Sequence, residues 1–255
     1  MRLLISGATG LIGRRLVIDR LERGDQVVIV SRNGQRAADL FAADANPNVE
    51  VVEGNPSTPG DWQKKVDGLD AVIHLAGAGI ADKRWTKAYK EELYNSRVDS
   101  TYQMARAIAE APSPPGVFVT ASAIGYYGET GVAQVDETGR AGSDFLADLC
   151  VQWEKQAAMA ASEQTRVVMM RTGAVLDERG GAIAQMVPVF RYYIGGPLGI
   201  KRTYISWIHW RDLVNMYDFA LRDARLNGPV NATAPNPCSN GELAQAVAAA
   251  LNTPS

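Results

Sequence analysis

A glycine-spaced turn near the start of the chain limits the fold more than any other feature. In "LLISGATGLIGRRL", residues 3–16, a short apolar run leads into Gly7, Gly10 and Gly13, and Leu11, Ile12, Leu16 and Val17 follow at helical spacing. A strand that turns this tightly into a helix leaves backbone N–H groups pointing at a common spot, at the positive end of the helix dipole. Glycines remove the side chains that would keep a phosphate away. The strand, turn and amphipathic helix together are the context in which such spacing signals a dinucleotide site. A triphosphate loop is disfavoured, because Gly13 is followed by Arg14-Arg15 where a Lys-Ser/Thr pair would be required.

About twenty residues on, the end of the second strand decides the type of cofactor. An acid there would bond the free ribose of NAD. This chain has "VSRNGQR" and no acid until Asp39. Ser31 can donate to a phosphate oxygen and Arg32 can clamp one, so the spacing predicts NADP(H).

Beyond this turn, β-branched runs alternate with segments of helical period, the pattern of parallel βαβ units. Strands are predicted at residues 3–6, 26–30, 49–52, 71–75, 117–120 and 167–171, with helices over 11–23, 87–110 and 143–161. The predicted fold is α/β, a Rossmann-like doubly wound parallel sheet with a small C-terminal lobe. Residues 1–171 are expected to form the NADP-binding core. Residues 172–255, rich in the glycine loops "DERGG" and "IGGPLG" and carrying a short helix after His209, form a lobe interleaved with it.

With 255 residues, 46% hydrophobic content and a formal charge of -2, the chain can bury one full core. No apolar run reaches the roughly 18 residues of a membrane span and no signal-type segment precedes the first strand, so no membrane partner is expected and the cytoplasm is. Cys150 and Cys238 lie far apart, and so do His74 and His209, so neither a disulfide framework nor a metal centre is expected. Without basic clusters, nucleic acid is not an expected partner. The expected partner is a small-molecule substrate, and nothing in the sequence points to an oligomeric state.

"GATGLIG", "IHLAG" at 73–77, "VTASAIGYYG" at 119–128, "RTGAVL" at 171–176, "WIHWRDLV" at 207–214 and "PVNATAPNP" at 229–237 together resemble the extended short-chain dehydrogenase/reductase superfamily. "ADKRWT", "SRVDST", "GYYG" and "GGPLG" narrow the resemblance to its atypical YfcH-like, or SulA-family, branch of nucleoside-diphosphate-sugar epimerases. The resemblance covers essentially the whole chain. It implies that Gly7, Thr9, Gly10, Leu11, Ile12 and Gly13 line the pyrophosphate and that Ser31 with Arg32 takes the adenosine phosphate. It also implies Asn55 beside the adenine, Leu75, Ala76 and Gly77 under the adenosine ribose, and Arg84 within reach of the cofactor. Relatives continue for roughly forty more residues, so the lobe is expected to be cut short.

The catalytic apparatus departs from that superfamily. Its active members use a serine or threonine after the fifth strand, with a Tyr and a Lys four residues later on one helical face; the Lys charge lowers the Tyr pKa. Ser122, expected just past the fifth strand, matches the serine as a substrate-orienting group. No Tyr in the chain has a Lys four residues later, and the matching helix places Leu146 and Cys150 at the two positions. Cys150 shares an apolar stripe with Leu146, Leu149 and Trp153 and reads as a buried structural thiol. Tyr127 is the candidate proton carrier; the alternative is an aromatic lid, since a phenol with no cation beside it is a poor base.

His209 reads as structural, with Asp212 expected to cap the following helix. Arg171 reads either as a ligand for a substrate phosphate or as the partner of an acid. Trp85, Trp207 and Trp210 read as pocket lining or core. Two functions follow. One is an NADP(H)-dependent oxidoreductase or epimerase acting on a sugar-nucleotide-like or other small carbonyl or alcohol substrate. The other is a non-catalytic NADP(H)-dependent regulator or scaffold.

Overall fold

A computed structural model describes residues 1–192, 195–196 and 203–254. The chain begins β1 (Arg2–Ser6), α1 (Leu11–Glu22), β2 (Gln26–Ser31), α2 (Gly34–Phe41), β3 (Val49–Glu53), β4 (Ala71–His74), α3 (Lys87–Glu110) and β5 (Val117–Ala123). It continues α4 (Phe145–Ala158), β6 (Arg166–Thr172), β7 (Ala174–Asp177), α5 (Gly181–Arg191), β8 (Tyr204–Ile205) and β9 (Trp207–His209). It closes with α6 (Trp210–Arg222), β10 (Gly228–Ala232), β11 (Cys238–Ser239) and α7 (Asn240–Leu251).

The seven-stranded sheet runs β10-β6-β5-β4-β1-β2-β3, with every pairing parallel. The connections wind one way from β1 to β3 and the other way from β4 onward, so the order switches between β1 and β4. That switch opens a crevice at the carboxyl ends of these strands, where ligands of open α/β sheets bind. Helices cover both faces, so the strands are buried on both sides and read as continuous apolar runs. Alternate residues divide between two cores. Leu3 and Ile5 pack with Leu16 and Val17 of α1 and Leu213, Val214 and Tyr217 of α6. Leu4, Val28 and Val30 pack with Trp62, with Met104 and Ile108 of α3 and with Ala157 of α4.

Past residue 171 the chain comes back to the sheet instead of leaving it. β10 pairs with β6 at the sheet edge and α6 shares the first core, whereas Met186 and Phe190 of α5 pack with Leu243, Ala244, Val247 and Ala248 of α7 in a small core of their own. Several elements differ from the sequence expectations. β4 stops at His74 and leaves Leu75 in the loop, and α4 starts at Phe145 because the Asp144 side chain accepts from Ala147 N at 2.9 Å. α2 has no counterpart among the predicted helices; Asn33 starts it by accepting from Arg36 N at 2.8 Å. The helix after His209 is 13 residues long. Within the "GGPLG" motif, residues 197–199 lie outside the described residues. No described helix is long and apolar enough to cross a membrane.

Candidate active site

The loop from β1 to α1 is built around backbone contact. Gly7 has φ +70°, and a Cβ there would lie 2.6 Å from Leu75 C and 2.8 Å from Ala76 N. A Cβ on Gly13 would lie 2.2 Å from Gly7 O, so the first turn of α1 rests directly on the loop. Gly10 is different: its Cβ would meet only Gly7 O, at 3.2 Å. It is the N-cap of α1, no side chain caps the helix there, and the first turn carries no acid. Bare N–H groups with a glycine over them, and space on the ligand side, fit a pyrophosphate. The structure brings Gly7, Thr9, Gly10, Leu11, Ile12 and Gly13 together with Leu75 and Ala76, and Gly77 follows on the same rim.

On the β2 side, a cleft of about 530 Å³ is lined by Thr9, Arg14, Asn33, Gln35, Arg36 and Asp39. The Ser31 hydroxyl is engaged locally, donating to Asn33 O at 3.0 Å and accepting from Asn33 N at 3.2 Å. Arg32 is exposed and its side chain has no partner among the described residues. Arg14 and Arg36 are absent from the sequence candidates. The second basic residue of "RNGQR" is Arg36, and a helix starting at Gly34 puts it in its first turn. Asn55 is exposed, and its side-chain oxygen accepts from Ser57 N at 3.1 Å. Arg84 is also exposed, in the loop before α3.

The carboxyl ends of β5, β6 and β10 hold a closed polar network. Ser122 lies inside β5, not past it, because β5 runs on to Ala123. Its hydroxyl is buried and donates to Glu154 Oε1 at 2.6 Å. Arg171 grips Glu154 with two bonds of 2.8 Å, Nε to Oε1 and Nη2 to Oε2, so of its two readings the acid pair is the one observed. Arg171 Nη1 donates to the Tyr127 phenol at 2.9 Å, and the phenol donates to Asn231 Oδ1 at 2.7 Å. The Tyr126 ring lies under the guanidinium, 3.5 Å from its carbon. Desolvation works to lower the Arg171 pKa, yet its bonds to Glu154 and Tyr127 hold it above the ordinary arginine value.

The sequence offered Tyr127 no cation at helical spacing; the fold supplies Arg171 from a neighbouring strand. Cys150 is buried next to this network, its thiol pushed up to about 11 by burial and then by the charge of Glu154.

His209 caps α6 itself, its Nδ1 accepting from Arg211 N at 3.3 Å, so the ring and not Asp212 is the cap. Trp210 packs beneath Arg15, whose guanidinium lies 3.8 Å from the ring centre and bonds Asp177 at 2.9 Å. Trp85 is exposed and meets Phe145 edge-on at 5.9 Å.

The family model for the NAD dependent epimerase/dehydratase family matches residues 3–232. A chloroplastic homolog of epimerase family protein SDR39U1 from Arabidopsis thaliana is 38% identical over 258 residues, covering 100% of this chain and 72% of the relative. The crystal structure of human epimerase family protein SDR39U1 with NADPH superposes with a TM-score of 0.83 at 32% identity, covering 99% of this chain and 81% of the human one. A nucleoside-diphosphate sugar epimerase from Corynebacterium glutamicum superposes with a TM-score of 0.81 at 32% identity, covering 97% of this chain and 49% of that one.

Proposed function

Since the chain belongs to the NAD dependent epimerase/dehydratase family, we propose that it binds NADP(H) and acts on a sugar-nucleotide-like or other small carbonyl or alcohol substrate. The observation that carries the reading is the uncapped, acid-free N-terminus of α1 under Gly10, opening on a cleft that Arg14 and Arg36 line. The first feature suits a pyrophosphate. The second suits the 2′-phosphate that separates NADP from NAD, and Ser31 and Arg32 directly precede the lining residue Asn33 in the chain. The relative solved with NADPH supports the same cofactor, and the one described as a nucleoside-diphosphate sugar epimerase supports the substrate class.

Bound nicotinamide would supply a hydride donor or acceptor. The chain's own part is to hold the partners and manage a proton. Tyr127 is the proposed proton carrier: its oxygen accepts a hydrogen bond from the Arg171 guanidinium at 2.9 Å, so a cation stands beside the phenol where the superfamily places a lysine. Ser122 acts through Glu154, which it helps to aim at Arg171. We therefore read Ser122 as a positioning residue for the Tyr127 pair.

One observation favours a second reading, an NADP(H)-dependent regulator or scaffold without turnover. Tyr127 is buried and both of its hydrogen bonds go to the protein, so its proton is already committed to Asn231. A screen of sugar-nucleotides and small carbonyl compounds, followed by NADPH absorbance, separates the two. The catalytic reading expects a substrate whose turnover drops at least about 100-fold in Tyr127→Phe, with the fold intact. Cofactor binding with no turnover on any member of the screen selects the regulator. In the same samples, Arg36→Asp is expected to weaken NADPH about 10-fold or more and to spare NADH; equal effects on both cofactors would remove Arg36 from the phosphate site.

A further inference from the structure

Arg97, on the inner face of α3, is a half-buried cation with no acid beside it among the described residues. Its Nη1 donates to Leu93 O at 3.2 Å, and its guanidinium carbon lies 5.4 Å from the centre of the Trp153 ring. Burial holds its pKa below the ordinary arginine value, and among the described residues the other groups whose charges bear on it are Cys150 and Tyr89, neither of them a carboxylate. An arginine carries five N–H donors and stays charged. Four are left over here by the one hydrogen bond the side chain makes among the described residues. The same corner holds Trp153 Nε1, a buried donor with no acceptor among the described residues. A cation and donors partly withdrawn from water, with one protein acceptor between them, are left to water or to a ligand for the rest.

The position of Arg97 indicates which molecule that is. A Cβ on Gly77 would lie 3.3 Å from the guanidinium carbon and 3.5 Å from Nη1, so the cation is packed against the rim residue itself. The next residue is fixed to the same helix, Ala78 N donating to Ser96 Oγ at 3.0 Å. Gly7 touches Leu75 and Ala76, and Gly77 follows them, so one continuous rim runs from the pyrophosphate turn to Arg97. The arginine-lined cleft lies on the opposite side, over β2 and α2. A dinucleotide with its adenosine end in that cleft and its pyrophosphate over Gly10 must carry its remaining half toward β4 and α3.

We infer that Arg97 is a ligand for that remaining half, donating to the oxygen atoms of the ribose that bears the nicotinamide. The inference rests on the NADP(H) reading above. It also gives "SRVDST" a purpose: Ser96 and Arg97 of that motif hold the loop and the ligand respectively. Arg97 sends its charge to the neighbourhood of Cys150, where the chain lacks a lysine.

The test compares two probes on three proteins. NADPH spans both halves of the site, whereas adenosine 2′,5′-bisphosphate reaches only the adenosine side. In Arg97→Gln, NADPH affinity is expected to drop at least about 10-fold, while the bisphosphate binds within about twofold of wild type. Arg97→Lys, which keeps the charge and loses the fork, should lie between. Retained bisphosphate binding also reports that each variant is folded. Equal losses for both probes, or undiminished NADPH affinity in Arg97→Gln, would overturn the assignment. A wild-type protein that binds neither probe would instead bring down the NADP(H) reading on which it depends.

Discussion

Two polar regions meet at the carboxyl edge of this sheet and are built on opposite principles. Around Gly10 the backbone donors of α1 have no side-chain cap, Arg14 and Arg36 line the adjoining cleft with Asp39 as its one acid, and Arg97 lies on the rim with no carboxylate beside it among the described residues. At the ends of β5, β6 and β10, Ser122, Glu154, Arg171, Tyr127 and Asn231 satisfy one another. The first region is incomplete without a ligand. The second is complete as it stands. Hydrogen-bonding capacity left over on a rigid frame is free for a ligand, whereas in a satisfied network any proton transfer must first break a bond already made.

The largest effects should come from filling the open region's glycine turn. Gly13→Ala puts a methyl 2.2 Å from Gly7 O, backbone against backbone, and is expected to cost several kcal/mol as well as cofactor binding. Gly10→Ala meets one atom, at 3.2 Å, and should leave thermal unfolding within about 1 kcal/mol of wild type while NADPH affinity falls steeply. Unfolding and titration measured together check the pair. If Gly10→Ala bound NADPH normally, the open turn would be mere geometry and the contrast between the regions would collapse.

The closed region answers to a different substitution. Arg171→Met strands a buried carboxylate, Glu154, and is expected to destabilise the fold by about 3–5 kcal/mol. The double variant Arg171→Met/Glu154→Leu removes both charges and should recover much of that loss. Cofactor affinity per folded molecule should barely move in either. A double variant no more stable than the single one in denaturant titrations would show that the pair is not self-contained.

Beneath the open rim, the floor is closed too. His74 is fully buried at the end of β4, between Ser6 Oγ at 2.6 Å and Ser100 Oγ at 3.0 Å, and burial pushes its pKa down to about 3. The folded chain therefore refuses a proton that the unfolded chain accepts near 6.5. Stability is full above that value and declines as the pH falls toward 3, by about 2 kcal/mol at pH 5. Between pH 7 and pH 5 Asp177 adds nothing to the slope. Desolvation opposes it, but its bonds to Arg15 hold it below its ordinary value of 3.8, so its contribution is lost only at lower pH. Urea midpoints between pH 7 and pH 5 measure the slope, and His74→Asn should flatten it.

Much of the open region was legible because it is local. Gly7, Gly10 and Gly13 fall within one turn, and "VSRNGQR" follows at the distance a single βαβ unit imposes, so periodicity and spacing suffice. Arg36 escaped because one short helix, eight residues capped by Asn33, carries too little pattern to be recognised. The closed region is non-local. Tyr127 meets Arg171 across 44 positions and Asn231 across 104, so no window of sequence shows that a cation stands beside the phenol. The lobe elements suffered likewise: β8 and β11 are two residues each and exist only as each other's partner. His209 shows the limit in miniature, since Asp212 carries the more usual capping side chain and the geometry uses the imidazole instead.

The smallest expected effect lies on the border between the regions. Cys150 sits in α4 with its thiol buried, feeling Arg97 from the open side and Arg171 and Glu154 from the closed side. Burial comes first among the causes and the Glu154 carboxylate adds to it; both arginines pull the other way and lose, leaving the thiol at about 11. At neutral pH it is therefore almost wholly protonated, and a thiol is a weak nucleophile until it ionises. Cys150→Ala should cost about 1 kcal/mol in lost packing, since alanine vacates little volume beside Leu149 and Trp153. Turnover per folded molecule, where a substrate is found, and NADPH affinity should both stay within about twofold. Alkylation by iodoacetamide at pH 7 should be slow until the protein unfolds. A Cys150→Ser variant that stays folded but loses turnover would mean that the border itself carries chemistry, and that the two regions work as one site.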